Sequence, residues 1–183
     1  NRHARGSTLV DYTPRQLLGV NKRGGFVISA PVEQPDAPLT DAQIRLRVAM
    51  QADGAWAKRA AQWRFTRARK IDRLAILLAD ACVPFRRKTE KDGVTMFRIA
   101  TDDVPAWLVK DFGPWILSLS ARQAALALEE IRAWDGTSHS QRGNLMIDSP
   151  RKDQMEWVAT LAALAGRSAT LRFYSGARSR WRV

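Results

Sequence analysis

The chain has 183 residues, of which 45% are hydrophobic, so it can build a packed core and wholesale disorder is excluded. Thirty Lys and Arg against eighteen Asp and Glu give a net charge of +12, which favours nucleic acid as partner over an anionic membrane surface or an acidic protein. One cysteine excludes an internal disulfide and a thiolate zinc cluster, and no apolar run approaches the ~18 residues of a membrane span.

The N-terminal segment, residues 1–38, is predicted to be an irregular lead-in with a short strand over Phe26–Ser29 and a Pro-rich connector. A helix follows that Thr40 or Asp41 caps and that runs to about Ala52. Because the chain begins without an initiator Met, we expect it to be a fragment or a processed piece of a longer polypeptide.

The next segment is predicted to hold two strands, a helix and a hairpin. Residues 55–61 and 62–68 read as strands, and apolar residues at helical spacing predict a helix from about Lys70 that ends before Pro84. Cys82 falls in this apolar stretch, so we expect a buried thiol and a reducing, cytoplasmic setting. A hairpin then turns at residues 91–93.

The second part of the chain repeats this plan. A helix is predicted over residues 121–134, followed by a strand over 144–148, a helix that begins after Ser149-Pro150 and ends at Gly166, and terminal strands.

Two Asp-Gly helix ends support an internal duplication. Asp53-Gly54 and Asp135-Gly136 are 82 residues apart, as are the Arg-Lys pairs at 69–70 and 151–152. The apolar faces of the helices that follow match at 84 residues instead. We interpret the chain as two related halves, the alternative being chance similarity of short features.

The two carboxylates carry the functional hypothesis. An acid at a helix C-terminus faces the negative pole of the helix dipole, which is unfavourable. If the two Asp-ending helices pack side by side through small residues, Asp53 and Asp135 come together and need a cation, for which a divalent metal that activates water is suited. The plainer reading is that Asp-Gly is a common turn dipeptide.

At these two helices the sequence resembles the paired motifs of LAGLIDADG homing endonucleases, in particular the single-chain kind found in inteins. Residues 46–54, LRVAMQADG, match the nine-residue motif at Leu46, Ala52, Asp53 and Gly54. Residues 128–136, LEEIRAWDG, match at Leu128, Asp135 and Gly136. The flanking segments also resemble the family, so the similarity spans most of the chain.

The resemblance implies an α+β fold of pseudo-two-fold duplicated αββαββα-type halves, with a lead-in over residues 1–38, a first half over 39–112 and a second half over 113–183. It implies that Asp53 and Asp135 bind Mg²⁺ or Mn²⁺, that Lys70 and Lys152 assist at matching positions with Lys110 as a weaker candidate, and that strands of both halves form a saddle on double-stranded DNA. The residues we expect to contact DNA are Lys58, Arg59, Arg64, Arg67, Arg86, Arg87 and Arg172. Each of these charges could instead be an ordinary solvated surface residue.

The second motif departs from the family pattern. Val48 and Glu130 stand at the third motif position, and Trp134 replaces the small residue before Asp135. These bulky or charged residues predict a less close approach of the two helices. Neither end of the chain carries protein-splicing residues, so we do not expect it to splice by itself.

The function expected is that of a metal-dependent, sequence-specific double-strand DNA endonuclease, monomeric with internal pseudo-symmetry, without a membrane anchor, from an intein or related mobile element in a bacterial or phage-infected cell. The alternative is a catalytically inactive DNA-binding or structural derivative within a larger, phage-derived assembly. A third reading is a basic RNA-binding, maturase-like module.

Overall fold

A computed structural model describes residues 33–134, 137–139, 144–175 and 180–183, with backbone alone at 137–139, 144–145 and 180–182. The predicted strand at 26–29 and the Asp135-Gly136 helix end lie outside these residues. In chain order the elements are α1 (Asp41–Asp53), β1 (Ala55–Ala57), β2 (Ala60–Phe65), α2 (Ala68–Asp80), β3 (Arg86–Thr89), β4 (Thr95–Ile99), 3₁₀ turns at Thr101–Asp103 and Pro114–Ser118, α3 (Ala121–Trp134), β5 (Thr137–His139), β6 (Asn144–Met146), β7 (Asp148–Ser149), α4 (Lys152–Leu164), β8 (Arg172–Tyr174) and β9 (Arg180–Arg182).

Helix α1 is the centre of the molecule. The Thr40 side chain accepts from the Gln43 backbone N–H while the Gln43 side chain accepts from the Thr40 N–H, a reciprocal capping box that fixes where the helix starts. The helix packs against α3, and its Val48 and Ala49 are fully buried. The indole N–H of Trp63 on β2 donates to the Ala49 carbonyl at 3.1 Å, which ties the first sheet to this helix.

The sheets show the duplication directly. The first half forms an antiparallel sheet of order β1-β2-β4-β3. In the second half β5 pairs with β6, and β7-β9-β8 form a three-stranded sheet. Ile147, between β6 and β7, exchanges both backbone hydrogen bonds with Val183 at 3.0 and 3.1 Å, so β6 and β7 together take the place of β2. The predicted α+β class is therefore confirmed, and in the described residues each half has the order αββαββ, without the final helix of the predicted αββαββα plan.

Helices α2 and α4 fix the register between the halves. Their N-caps are Arg67 and Arg151, and their C-caps are Ala81 and Ala165, so equivalent positions are 84 residues apart. The apolar faces follow this spacing, and the Arg-Lys pairs at 82 residues do not. Lys70 and Lys152 therefore do not occupy equivalent positions in their helices.

Two local predictions are wrong. The break between the first two strands falls at Lys58-Arg59, because these residues form the tight turn that joins Ala57 to Ala60, and not between residues 61 and 62. Cys82 is exposed, since it lies in the turn that ends α2, beyond the buried face of that helix. The predicted hairpin of β3 and β4 is confirmed. No described helix has the length and apolarity to cross a bilayer.

Candidate functional site

The end of α1 is set by close packing around Gly54. This glycine is extended, with φ −73°, so it does not provide the left-handed residue that often follows a helix. A Cβ at this position would lie 2.6 Å from the Met50 carbonyl oxygen and 2.3 Å from the Met50 sulfur. Only glycine therefore lets the chain turn so tightly directly after Asp53.

A lysine from the next helix neutralises Asp53. The Lys70 Nζ donates to Oδ2 of Asp53 at 2.5 Å, and the lysine side chain is 12% exposed against 27% for the carboxylate. No basic residue lies in the last turn of α1 itself. The unfavourable charge at this helix end is thus offset from α2, which brings the first motif and the second helix of the half together.

Lys110 joins the same helix end from the connector between the halves. Its Nζ lies 3.5 Å from the Met50 carbonyl oxygen and 3.4 Å from that of Gln51. Partial burial of the ammonium group lowers the pKa of Lys110, Asp53 opposes that shift, and Arg151 adds to it. Two ammonium groups therefore lie at the C-terminal end of α1, one paired with the Asp53 carboxylate and the other facing the carbonyls of the last turn.

The last turn of α3 approaches the same place. Arg69 Nη1 donates to the Ala133 carbonyl at 2.7 Å, and the Lys70 ammonium lies 5.7 Å from the centre of the Trp134 ring. Asp135 follows Trp134 directly but is outside the described residues. Within the described ranges there is no cluster of three or more His, Cys, Asp or Glu side chains that could hold a metal ion.

The second half does not repeat the lysine contact in the described residues. Lys152 is the first residue of α4 and pairs with Glu156 one turn on, at 3.0 Å between Nζ and Oε1. The equivalent of Lys70 is Gln154, which is 3% exposed and whose Oε1 accepts from the Phe112 backbone N–H at 3.2 Å. The predicted catalytic role of Lys152 stays a prediction.

The outward side of the first sheet is strongly basic. Arg86 pairs with Arg98 and Lys88 with Met96, opposite the buried face that carries Trp63 and Phe97. We call the four cations on this side the basic face: Arg64, Arg86, Lys88 and Arg98. Sequence analysis missed Lys88 and Arg98, although alternation by two along the hairpin could have found them.

The register separates Arg64 and Arg87, which sequence analysis treated alike. Arg87 lies on the side of the sheet that carries Phe97, with its guanidinium 5.6 Å from the centre of that ring, although its side chain stays exposed. Arg64 lies on the basic face and pairs with Glu90 at 2.6 Å between Nη2 and Oε2. These two arginines therefore offer different surfaces to a ligand.

The remaining predicted DNA contacts are exposed at element ends. Lys58 and Arg59 form the β1–β2 turn, and Lys58 has a φ of 56°, a conformation that side chains rarely adopt. Arg67 is the N-cap of α2, and Arg172 begins β8. All four side chains are exposed, and a side chain must be exposed to contact a phosphate.

Comparisons with known proteins identify the fold. No protein-family model and no curated protein sequence matches the chain. The crystal structure of the homing endonuclease I-DmoI in complex with DNA and Mn is similar, with a TM-score of 0.56 and 12% identity over 78% of this chain and 89% of that one. Its complex with DNA and Ca gives a TM-score of 0.58 at 12% identity, over 78% and 81% of the two chains.

A second type of protein shares the fold. The N-terminal LAGLIDADG domain of DUF199/WhiA aligns with a TM-score of 0.51 at 11% identity, over 82% of this chain and 78% of that one. The chain thus has the α+β fold of LAGLIDADG homing endonucleases and of the WhiA domain. The expected homing-endonuclease-like fold is confirmed by these structures, whereas the two motif matches in the sequence stay predictions.

Proposed function

We propose that this protein is a metal-dependent, sequence-specific double-strand DNA endonuclease of the homing type. One observation carries the proposal: the Asp53 carboxylate ends the central helix with the ammonium groups of Lys70 and Lys110 beside it. An acid flanked by cations suits a scissile phosphate and a hard metal ion together. I-DmoI, which shares the fold, has been crystallised with DNA and with Mn or Ca.

Two carboxylates would hold the metal. Asp53 has an oxygen-donor side chain that remains partly exposed, and Asp135 follows the helix whose last turn reaches Lys70. Mg²⁺ or Mn²⁺ typically takes one or two carboxylates and completes its shell with water and phosphate oxygens. Such an ion, when bound, activates water and stabilises the leaving oxygen in phosphodiester hydrolysis.

The lysines and the basic face would hold the DNA. Lys70 and Lys110 would bind the scissile phosphate, which keeps two cations close to the charge that develops during hydrolysis. The basic face would lie in the major groove, where arginine reads guanine edges and lysine contacts phosphate. We assign further phosphate contacts to Lys58, Arg59, Arg67 and Arg172, which are exposed.

We also infer the organisation of the chain from this function. The first half covers residues 39–112 and the second 113–183, and both act within one monomer because α1 and α3 pack against each other. We propose the cytoplasm as the site of action and an intein or related mobile element, as part of a larger polypeptide, as the origin.

The test begins with a selection of binding sites from random duplex DNA in the presence of Ca²⁺. The selected duplexes are then incubated with the protein in Mg²⁺ or Mn²⁺, and cleavage is measured. We expect a long defined site that the unmutated protein cuts, while Asp53→Asn and Asp135→Asn bind it and leave it intact. Lys91→Gln is the control, because Lys91 is exposed in the β3–β4 turn and is not among the residues assigned to the site, and it should cut normally. Binding that is salt-sensitive but selects no sequence would contradict the proposal.

A second function is favoured by the Lys70–Asp53 contact itself. The ion pair occupies a carboxylate oxygen that a metal would use, and the equivalent of Lys70 is an amide, Gln154. These features suit a derivative that binds DNA without cutting it. A selected site that stays intact in Mg²⁺ and in Mn²⁺ would establish this alternative.

A further inference from the structure

We propose that Trp134 is a positioning residue that holds the Lys70 ammonium against the Asp53 carboxylate, so that the second motif helix completes the site of the first half. The inference rests on the proposed function, since it names a positioning residue for the same site. It arises from a departure in the second motif, where a tryptophan stands at a position for which the family pattern has a small residue.

The Lys70 ammonium is held on two sides. Its Nζ is 2.5 Å from Asp53 Oδ2. It lies 5.7 Å from the centre of the Trp134 ring and 6.0 Å from that of Phe65, within the range of attraction between a cation and an aromatic face. The lysine side chain is 12% exposed, so these contacts act with little competition from water.

Trp134 is itself held rigidly. It is 2% exposed and stacks on Phe65 with ring centres 5.7 Å apart and planes 28° from parallel. Its indole N–H donates to Oε1 of Glu130 at 2.6 Å. Glu130 is in turn bound by Arg73, which lies three residues after Lys70 on α2. The ring therefore cannot rotate away without breaking a buried hydrogen bond.

These contacts link elements of both halves. Lys70 and Arg73 belong to α2 in the first half, and Glu130 and Trp134 belong to α3 in the second. Fixing the ammonium in one place matters because misplacement of a reacting group by about 1 Å can cost ~100-fold in rate. A small residue at position 134 would remove one of the two aromatic rings described beside the Lys70 ammonium.

The first test is an NMR measurement on protein labelled with ¹³C at the lysine ε carbons, with Lys70→Met identifying the Lys70 signal. We expect the Lys70 ε protons to be shifted upfield by the ring currents of Trp134 and Phe65. Trp134→Phe should keep most of the shift because it keeps an aromatic face, whereas Trp134→Leu should lose much of it. A Lys70 signal that is the same in Trp134→Leu and in the unmutated protein would overturn the proposal.

The second test uses strand-specific cleavage of the selected duplex. We expect Lys70→Met and Trp134→Leu to slow the same strand, by up to ~100-fold, and the double variant to be no slower than Lys70→Met. Trp134→Phe should recover most of the rate. A purely structural role would instead slow both strands equally in Trp134→Leu, which would overturn the proposal.

The two tests separate the inference from the proposed function. If the unmutated protein cuts no DNA but the Lys70 signal moves in Trp134→Leu, the positioning contact stands and the nuclease proposal fails. If cleavage occurs but the Lys70 signal does not respond, the nuclease proposal stands and the positioning role fails.

Discussion

Glu130 is clamped by Arg73 across the interface between the two halves. Arg73 Nε donates to Oε1 at 2.7 Å and Nη2 donates to Oε2 at 2.5 Å, while Arg45 Nε approaches Oε2 at 3.9 Å. The glutamate is 1% exposed, and its hydrogen bond to Arg73 raises the pKa of that arginine although partial burial opposes the shift. A carboxylate at the third motif position is therefore accommodated because α2 supplies its counter-ion.

Glu130→Ala should lower the free energy of unfolding by about 2–3 kcal/mol. The substitution removes the partner of Arg73 and leaves the buried indole N–H of Trp134 unsatisfied. The value lies below the usual cost of breaking a buried ion pair because the Arg73 side chain is 38% exposed and can turn to water. Urea unfolding followed by tryptophan fluorescence measures it.

Glu129→Ala is the matched control, because Glu129 is the adjacent, exposed residue of the same helix. It should change stability by less than about 0.5 kcal/mol. If Glu130→Ala and Glu129→Ala lower the free energy of unfolding equally, the Arg73–Glu130 ion pair contributes nothing to stability beyond helix propensity.

Arg86→Ala and Arg87→Ala should separate DNA binding from stability. Arg86 lies on the basic face, so its loss should weaken binding and reduce the slope of log affinity against log salt by about 0.9, the value for one phosphate contact. Arg87 packs over Phe97, so its loss should leave affinity nearly unchanged and cost about 0.5–1 kcal/mol of stability. Fluorescence anisotropy at several salt concentrations, with urea unfolding, measures both effects.

The two arginines test the register of the sheet. A larger loss of affinity in Arg87→Ala than in Arg86→Ala would show that the DNA contacts a different surface of the first half. Arg98 lies directly opposite Arg86 on the basic face, so Arg98→Ala should weaken DNA binding as Arg86→Ala does.

The helices and the hairpin could be predicted from local signals, because their caps, apolar spacing and turn residues lie within a few positions of each other. α3 begins and ends at the residues predicted, Ala121 and Trp134. The break at Lys58-Arg59 could not be predicted, since a lysine with positive φ is a rare choice for a tight turn.

The contacts between the site residues could not be predicted from local sequence signals. The sequence singles out Asp53, Lys70 and Lys110, but it does not show that Lys70 contacts Asp53 or that Lys110 reaches the α1 carbonyls, because these contacts join residues 17 and about 60 positions apart. The role of Trp134 depends on a stack with Phe65 from the other half, which no motif encodes. The Arg-Lys repeat suggests that Lys70 and Lys152 are equivalent, but the helix register differs from that repeat by two residues, so Lys70 corresponds to Gln154 instead.

Gly54→Ala should destabilise the protein by about 1–3 kcal/mol, the range for forcing an extra carbon into a packed site. The new Cβ would lie 2.6 Å from a backbone oxygen, which cannot move without distorting the last turn of α1. Thermal unfolding measures the loss. Gly113→Ala is the control, because a Cβ there meets only the Asp111 carboxyl at 3.7 Å or more, and it should unfold near the temperature of the unmutated protein.

Cys82→Gly should raise the free energy of unfolding by about 0.5–1 kcal/mol. Cys82 follows α2 with φ 53°, and Gly166, its equivalent 84 residues on, follows α4 with φ 70°. In both turns the next N–H reaches back to a helix carbonyl, Val83 to Leu78 at 3.0 Å and Arg167 to Ala162 at 2.8 Å. The second half therefore carries the residue that this left-handed position favours, whereas the first half bears a strain of about 1–2 kcal/mol.

The gain is smaller than the strain because glycine also loosens the unfolded chain, by roughly 0.4–1 kcal/mol. Urea unfolding of Cys82→Gly beside Cys82→Ala isolates the conformational effect, since alanine removes the thiol but keeps the Cβ. The reciprocal change, Gly166→Ala, should destabilise by about 1 kcal/mol, because it places a Cβ in the same left-handed turn. If Cys82→Gly is no more stable than Cys82→Ala, the left-handed conformation at position 82 carries no strain. Glycine would then not be needed at that turn, in contrast to the turn at Gly166.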